Sequence, residues 1–411
     1  MLTSDEPQRL DKRIFATLFL AIFSCVTGVG IVVPLLPVYA NNLGASGLYV
    51  GLIFGAFSFS RSVFMPYFGR MSDKKGRKPL IVIGLFCYVL ISIAFMGFED
   101  VNALIVLRFI QGIASAMIMP VTQAYVGDIT PVGDEGFSMG LFNMSMFMGL
   151  SIGPLLGGFI SEQFSLAAAF GCMGGMALVG CILGLFLLPP TRMERVVIQG
   201  KKPLEWKDLL TDRDILILSV FRFAYTTCIG ILWGFLPVYA DSQFSLPPSK
   251  IGILLMLGVF TSGLIHIPMG AVADRCNKFM LVTIGGLIVV YAVMSFQWAT
   301  GFQDLFIANV LFGIGGGISM PALMALVIIA GNRTHAMGSV MALLTTAHSL
   351  GMLSGSLLAG LIMDISELRF AFAWGAAIMG LGVLLFCSGT LYNNLAKRRA
   401  TTSGNAHPTA S

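Results

Sequence analysis

Twelve long runs of apolar residues, separated by short charged or turn-forming segments, constrain this chain more than any other feature. A helix that spans a bilayer needs about 20 mostly apolar residues. Only 11% of the residues are charged, against roughly 25% in soluble domains. We therefore predict an all-α integral membrane protein with twelve transmembrane helices, at residues 14–40, 48–69, 79–97, 101–127, 136–160, 166–189, 214–240, 250–272, 278–298, 303–329, 336–362 and 370–392.

The second half of the sequence repeats the first at a nearly constant offset of 200 to 202 residues. Matches at four places indicate a duplicated unit of six helices. Because six is even, both copies enter the membrane from the same side, an arrangement associated with alternating-access transporters. The matches are Pro37 with Pro237, Gly69 with Gly270, Gly112 with Gly313, and Gly153 with Gly355.

Charge predicts how the chain lies in the membrane. Of the 25 Lys and Arg residues, 20 fall on one side if the N-terminus is inside, which predicts that both termini are cytoplasmic. We expect the inner membrane of a bacterium. The predicted division is a cytoplasmic tail at 1–13, a six-helix bundle at 14–189, a basic linker at 190–213, a second bundle at 214–392 and a disordered cytoplasmic tail at 393–411.

The sequence lacks the motifs typical of several functional classes. The seven cysteines are scattered singly, which predicts no disulfide framework and no metal site. There is no phosphate loop, no His-Glu-x2-His and no nucleophile elbow. We therefore expect no enzyme and no cofactor. The expected partners of this predicted monomer are a small-molecule substrate, protons and the bilayer, and the net charge of +5 is explained by the loops without nucleic acid.

The segment between helices 2 and 3 carries a recognisable motif. Its spacing, Gly-x3-Asp-x2-Gly-Arg-Lys from Gly69 onward, resembles the loop signature of the major facilitator superfamily. Gly69 is expected to let helix 2 approach a neighbouring backbone, and Gly76 to permit the turn. The resemblance implies that Asp73 and Arg77 help to latch the cytoplasmic side shut when the cavity opens outward.

Two contacts are expected for this latch. Asp73 should lie near the positive N-terminus of helix 11, and Arg77 should pair with Asp128 at the end of helix 4. The alternative is that the basic residues only anchor the topology.

Helix 4 contains Leu-Arg-Phe-Ile-Gln-Gly at 107–112, which looks like the arginine-bearing motif of the same superfamily. The resemblance implies that Arg108 helps to organise proton movement. A structural hydrogen bond from Arg108 to carbonyl groups is the alternative, and Gln111 is expected to line the substrate cavity.

Helix 5 is similar to the signature associated with antiporters of the superfamily. Gly149, Gly153 and Gly157 are four residues apart and form one smooth face, and Pro154 removes a backbone donor. With Gly158 they are expected to pack against a helix of the other half. The set resembles the twelve-helix drug:proton antiporter branch, which implies export by exchange.

Three basic side chains in the predicted helices have no acidic partner at their depth, because every Asp and Glu falls in a loop or near a helix end. Arg61 in helix 2 and Arg222 in helix 7 are expected to face the substrate cavity, and His348 in helix 11 can carry a proton or simply pack.

We therefore predict a proton-coupled antiporter that exports amphipathic small molecules or drugs by alternating access. The alternatives are a transporter of an anionic metabolite or lipid, bound by the buried arginines, and a membrane receptor or scaffold without transport.

Overall fold

Twelve helices account for almost all of the described chain. The computed structural model describes residues 12–130, 135–189, 211–334 and 337–404. In that part each of the twelve helices is long and apolar enough to cross a membrane, as predicted. The helices are α1 (Lys12–Asn42), α2 (Gly47–Lys75), α3 (Arg77–Gly97), α4 (Val101–Ile129), α5 (Glu135–Gln163), α6 (Leu166–Leu187), α7 (Arg213–Phe244), α8 (Pro248–Arg275), α9 (Lys278–Ser295, followed by a 3₁₀ turn at Phe296–Trp298), α10 (Phe302–Thr334), α11 (Met337–Ile365) and α12 (Arg369–Gly404).

The connection between α2 and α3 is shorter than the sequence predicted. Helix α2 continues to Lys75, so Gly69 and Asp73 lie in its last turns and not in a loop. No residue between 69 and 75 breaks a helix, whereas Gly76 has a φ of 89° and ends it. The expected loop is therefore a helix end followed by a turn of one residue.

The C-terminal tail also differs from its prediction. Helix α12 continues to Gly404, so residues 393–404 are helical and were wrongly expected to be disordered. The segment contains Ala396, Lys397, Arg398 and Arg399, which all favour helix. The predicted tails at 1–11 and 405–411 and most of the linker, 190–210, lie outside the described residues.

Small residues hold the central helices together within each half. A Cβ added at Gly153 of α5 would lie 2.5 Å from the carbonyl oxygen of Thr27 in α1. In the second half, a Cβ at Gly355 of α11 would meet the carbonyl oxygen of Thr227 in α7. The two contacts are repeat copies, at offsets of 200 and 202 residues. Both halves thus use the same close approach of backbones, which glycine permits between membrane helices.

The two halves meet through two interfaces that repeat the same offsets. In the first, Gly47 and Gly51 of α2 lie against Gly360 and Ser356 of α11. In the second, the corresponding partners of α8 and α5 meet, namely Pro248 with Gly158 and Gly252 with Pro154. Adding 201 to the α2 numbers and subtracting 202 from the α11 numbers converts the first interface into the second. The duplicated sequence therefore folds into two pseudo-symmetric copies.

The close glycine contacts between the halves lie toward one end of the bundle. We call the end that carries Lys74, Lys75, Arg77 and Lys78 the basic face, and the other end the opposite face. The close contacts at Gly47, Gly51, Gly158 and Gly252 lie toward the opposite face. By contrast, a Cβ added at Gly69, Gly140 or Gly270, near the basic ends of α2, α5 and α8, would meet no atom within 4 Å. The close glycine contacts between the halves thus lie toward the opposite face, and these three glycines near the basic ends take no part in such a contact.

Candidate functional site

The predicted gate residues form an ion-pair network at the basic face. Arg77 lies 2.5 Å from the carboxylate of Asp73, one turn earlier, and its Nε donates to Asp128 of α4 at 3.0 Å. It also donates to the hydroxyl of Ser72 at 2.5 Å. The structure thus brings Asp73, Arg77 and Asp128 together, as the motif indicated. All four of these residues belong to the first half.

The second role expected of this motif is not seen. No atom approaches within 4 Å of a Cβ placed on Gly69, so the prediction that a backbone packs there is wrong for this conformation. The expected contact of Asp73 with the start of α11 falls at residues 335–336, which lie outside the described residues.

Two carboxylates that sequence reasoning missed join the halves at the opposite face. Asp364, at the end of α11, accepts hydrogen bonds from the backbone N–H of Gly47 at 2.6 Å and Leu48 at 2.9 Å, at the start of α2. Glu162, at the end of α5, accepts from the N–H of Ser249 at 3.0 Å, at the start of α8. Each acid satisfies unpaired donors at the positive end of a helix from the other half.

These two caps are also repeat copies, since Glu162 and Asp364 are 202 residues apart. That is the offset found for the glycines of the same helices, Gly153 and Gly355. A search for acids at equivalent positions of the two copies would have found the pair. We call Glu162 and Asp364 the outer caps.

The glycine face of α5 does not pack as predicted. Gly149, Gly153 and Gly157 lie against the backbone of α1, in the same half, with Gly157 beside Ile31. Only the neighbouring positions, Pro154 and Gly158, face α8 of the other half. The helix therefore presents two narrow faces about a quarter of a turn apart. The prediction was wrong because it assigned all of these positions to one contact. In the structure α1 covers Gly149, Gly153 and Gly157, and α8 covers Pro154 and Gly158.

Arg108 is held entirely within its own half. Its side chain is 2% exposed, and its Nη1 donates to Oε1 of Gln111 at 2.7 Å. Its Nε donates to the carbonyl oxygen of Ile53 at 3.3 Å, and the rings of Phe54 and Phe57 lie 5.0 and 4.5 Å from its central carbon. Gln111 is also fully buried. Neither residue lies on an open surface, and the geometry is that of the structural alternative.

Arg222 and His348 contact each other in the middle of the second half. Nη2 of Arg222 lies 3.2 Å from Nδ1 of His348, and Nη1 lies 2.9 Å from the sulfur of Met320. Because arginine only donates, Nδ1 must be the acceptor, so the imidazole carries no proton there. The structure thus places a predicted proton carrier directly on a predicted substrate-binding residue.

Arg61 lies at the centre of α2, 14 residues from either end of Gly47–Lys75. Its side chain is partly buried, and in the part of the chain that the structure describes it has no hydrogen bond or ion pair. Its helix packs across the interface against α11, the helix of His348, through Gly51 and Gly55. Arg61, Arg222 and His348 therefore form one group, which we call the central cluster.

A small apolar pocket lies between the halves, on the side of the opposite face. Both halves contribute to it, through residues Gly30, Val33, Leu150, Pro154, Trp233, Leu255 and Val259. Among the described residues no group of His, Cys, Asp and Glu is placed to hold a metal ion. The described site therefore combines the cationic side chains of the central cluster with a small apolar pocket.

Comparison with known proteins agrees with this geometry. The family model of the Major Facilitator Superfamily matches residues 18–327 and 218–408. An uncharacterised MFS-type transporter of Methanocaldococcus jannaschii is 27% identical over 87% of this chain and 92% of its own length. Multidrug resistance protein 2 of Bacillus subtilis is 26% identical over 91% of this chain and 95% of its own.

The fold is also found among solved structures. The crystal structure of a mutant of the nucleoside transporter NupG superposes with a TM-score of 0.79, over 92% of this chain and 99% of that one. At 12% sequence identity the likeness concerns the fold alone.

Proposed function

Because this chain belongs to the major facilitator superfamily, we propose that it exports amphipathic small molecules in exchange for protons by alternating access. The single observation that carries the proposal is the pair of pseudo-symmetric interfaces between the halves, whose close glycine contacts lie toward the opposite face. The similarity to a multidrug resistance protein supports export of drug-like molecules. We place the protein in a bacterial inner membrane with the basic face and both termini in the cytoplasm, because basic residues accumulate on that side.

In this proposal the conformation described here receives substrate from the cytoplasm. The halves 14–189 and 214–392 then rock about the central cluster. Closure of the basic face would bring Asp73 to the start of α11, while Arg77 and Asp128 keep the ends of α2 and α4 together. Opening of the opposite face requires both outer caps to release their backbone donors.

We propose His348 as the proton carrier of the exchange. A proton on Nδ1 would remove the acceptor that now lies 3.2 Å from Arg222 and would place two cations side by side. Arg222 would then have to leave the imidazole. Protonation is thereby coupled to the contact between α7 and α11, the two helices that carry this pair. Arg108, which has all its partners within one half, is assigned a structural role.

Flux through reconstituted protein tests the function. We expect acid-loaded liposomes that contain the protein to accumulate an amphipathic dye when they are diluted into alkaline buffer, and a protonophore to abolish the accumulation. Fluorescein and rhodamine 123 share one ring system and carry opposite charge, so each should be assayed. Dye levels equal to those in protein-free liposomes would contradict transport and favour a receptor or scaffold.

Removal of the outer caps should shift the conformational equilibrium. We expect the double variant Glu162→Ala, Asp364→Ala to open the opposite face more often. The cap made by Asp364 contributes about 1 kcal/mol, so the double variant should change the ratio of conformations about fivefold or more. The measurement is the distance between spin labels at Tyr49 and Ile365, exposed ends of α2 and α11, in a cysteine-free background.

Asp73→Asn is the matched control for this experiment, since it removes a carboxylate at the basic face and leaves both caps intact. It should not widen the distance between the two labels. If the double variant and wild type show the same distance distribution, the caps do not hold the opposite face closed.

A further inference from the structure

The central cluster holds two guanidinium groups without a carboxylate partner. Arg61 is in the middle of α2, and Arg222 is nine residues inside α7, roughly 13 Å along the helix at 1.5 Å per residue. Every Asp and Glu of the described helices lies within three residues of a helix end. The described part of the protein therefore supplies no anion at the depth of these two cations.

Arg222 is bound only by weak or neutral acceptors. Its partners are the thioether of Met320 at 2.9 Å and the neutral imidazole of His348 at 3.2 Å. Its Nε is buried and has no hydrogen-bond partner among the described residues. A thioether is a weak acceptor, so one donor remains unused and the charge is not compensated.

Arg61 is less satisfied still. Among the described residues it has no hydrogen bond and no ion pair. Arg108 provides the internal comparison, because it has a carbonyl, an amide and two aromatic faces as partners. Among the described residues, a buried guanidinium is thus hydrogen-bonded at Arg108, whereas Arg61 has no hydrogen bond and Nε of Arg222 has no partner.

A charge held inside a membrane protein without a counter-charge is destabilising by several kcal/mol and is expected to face a partner or a pathway. Here the two cations belong to different halves, on α2 and α7, and both helices pack against α11, the helix of His348. One ligand between the halves can therefore meet both. We propose that Arg61 and Arg222 bind the carboxylate, sulfonate or phosphate group of an amphipathic organic anion. The inference rests on the proposed function and names the chemical class of its substrate.

The charge of the substrate determines the response to membrane potential. Exchange of a monovalent cation for one proton moves no net charge. Exchange of a monovalent anion for one proton moves two positive charges inward, and each charge is worth about 2.3 kcal/mol per 100 mV. A membrane potential of about 100 mV, negative inside, therefore raises the ratio of outside to inside anion concentration at equilibrium roughly two-thousandfold over its value without a potential.

Binding to purified protein tests the inference without any gradient. The protein is placed in nanodiscs of zwitterionic lipid, and fluorescence anisotropy reports the binding of fluorescein, an anion, and of rhodamine 123, its cationic counterpart. We expect fluorescein to bind more tightly. Arg222→Gln and Arg61→Gln should each weaken it at least tenfold, the loss of one charge-assisted hydrogen bond. Arg369→Gln, at the opposite face, is the matched control and should leave binding unchanged.

Fluorescein binding no tighter than rhodamine binding, or binding unaffected by both cluster variants, would overturn the inference. Nanodiscs that contain phosphatidylglycerol distinguish the source of the anion. Competition by this lipid supports a lipid headgroup as substrate, and unchanged fluorescein binding supports a soluble anion. Fluorescein binding without any dye flux would support the anion site and contradict the proposed exchange. Flux of rhodamine 123 without flux of fluorescein would support the exchange and contradict the anion site.

Discussion

Replacing Gly153 by alanine is expected to destabilise the protein by about 2–3 kcal/mol. The new Cβ would lie 2.5 Å from the carbonyl oxygen of Thr27 and 2.7 Å from the Cα of Gly30. Both atoms are backbone, so no side chain can rotate away and α1 would have to move. Thermal unfolding of detergent-purified protein, followed by size-exclusion chromatography, measures the loss of folded material.

Gly140→Ala is the matched control on the same helix. An added Cβ there meets no atom within 4 Å, so we expect equal stability or a gain of up to about 1 kcal/mol from helix propensity. The repeat copy offers a second test, since Gly355→Ala would meet the carbonyl oxygen of Thr227 and should be as destabilising as Gly153→Ala. Equal stability of the Gly153 and Gly140 variants would mean that α1 and α5 are not packed as described.

Replacing Arg108 by methionine is expected to destabilise the protein by about 1–3 kcal/mol. Oε1 of Gln111 would lose its donor in a fully buried place, and the carbonyl oxygen of Ile53 would lose its side-chain donor. The unfolding midpoint in denaturant is the measurement.

A second variant separates the two roles considered for Arg108. Removal of both partners, as in Arg108→Met with Gln111→Leu, leaves fewer unpaired polar groups and should recover part of the stability. If Arg108 is structural, dye flux recovers with it. A stable double variant that no longer transports would instead show that Arg108 takes part in proton movement.

The two ends of the molecule use related devices with different partners. At the opposite face, the outer caps place a carboxylate from one half on a helix start of the other. At the basic face, the carboxylate of Asp73 is occupied by Arg77 of its own half. The same kind of contact, a carboxylate at the N-terminal end of a helix, is thus observed at the opposite face. For the basic face it is proposed. Alternating access would then exchange one set of such contacts for the other.

Much of the architecture could be predicted because its signals are local. The helices follow from the apolar runs, and the duplicated halves follow from matches such as Gly153 with Gly355. The pairing of Arg77 with Asp128 followed from the family motif. The length of α2 and α12 could not be read in the same way, because hydropathy marks what lies in the membrane and a helix can continue beyond it.

The sequence by itself determined that this chain is a twelve-helix membrane protein of two similar halves, since burial of apolar side chains in lipid depends on each segment alone. Only the tertiary structure decided that Asp364 caps α2, that the glycine face of α5 packs on α1, and that Arg108 is satisfied while Arg61 and Arg222 are not. The physical reason is that these contacts join residues far apart in the sequence. A hydrogen bond between Gly47 and Asp364 joins residues 317 positions apart, and no periodicity within a single helix records which other helix it will meet.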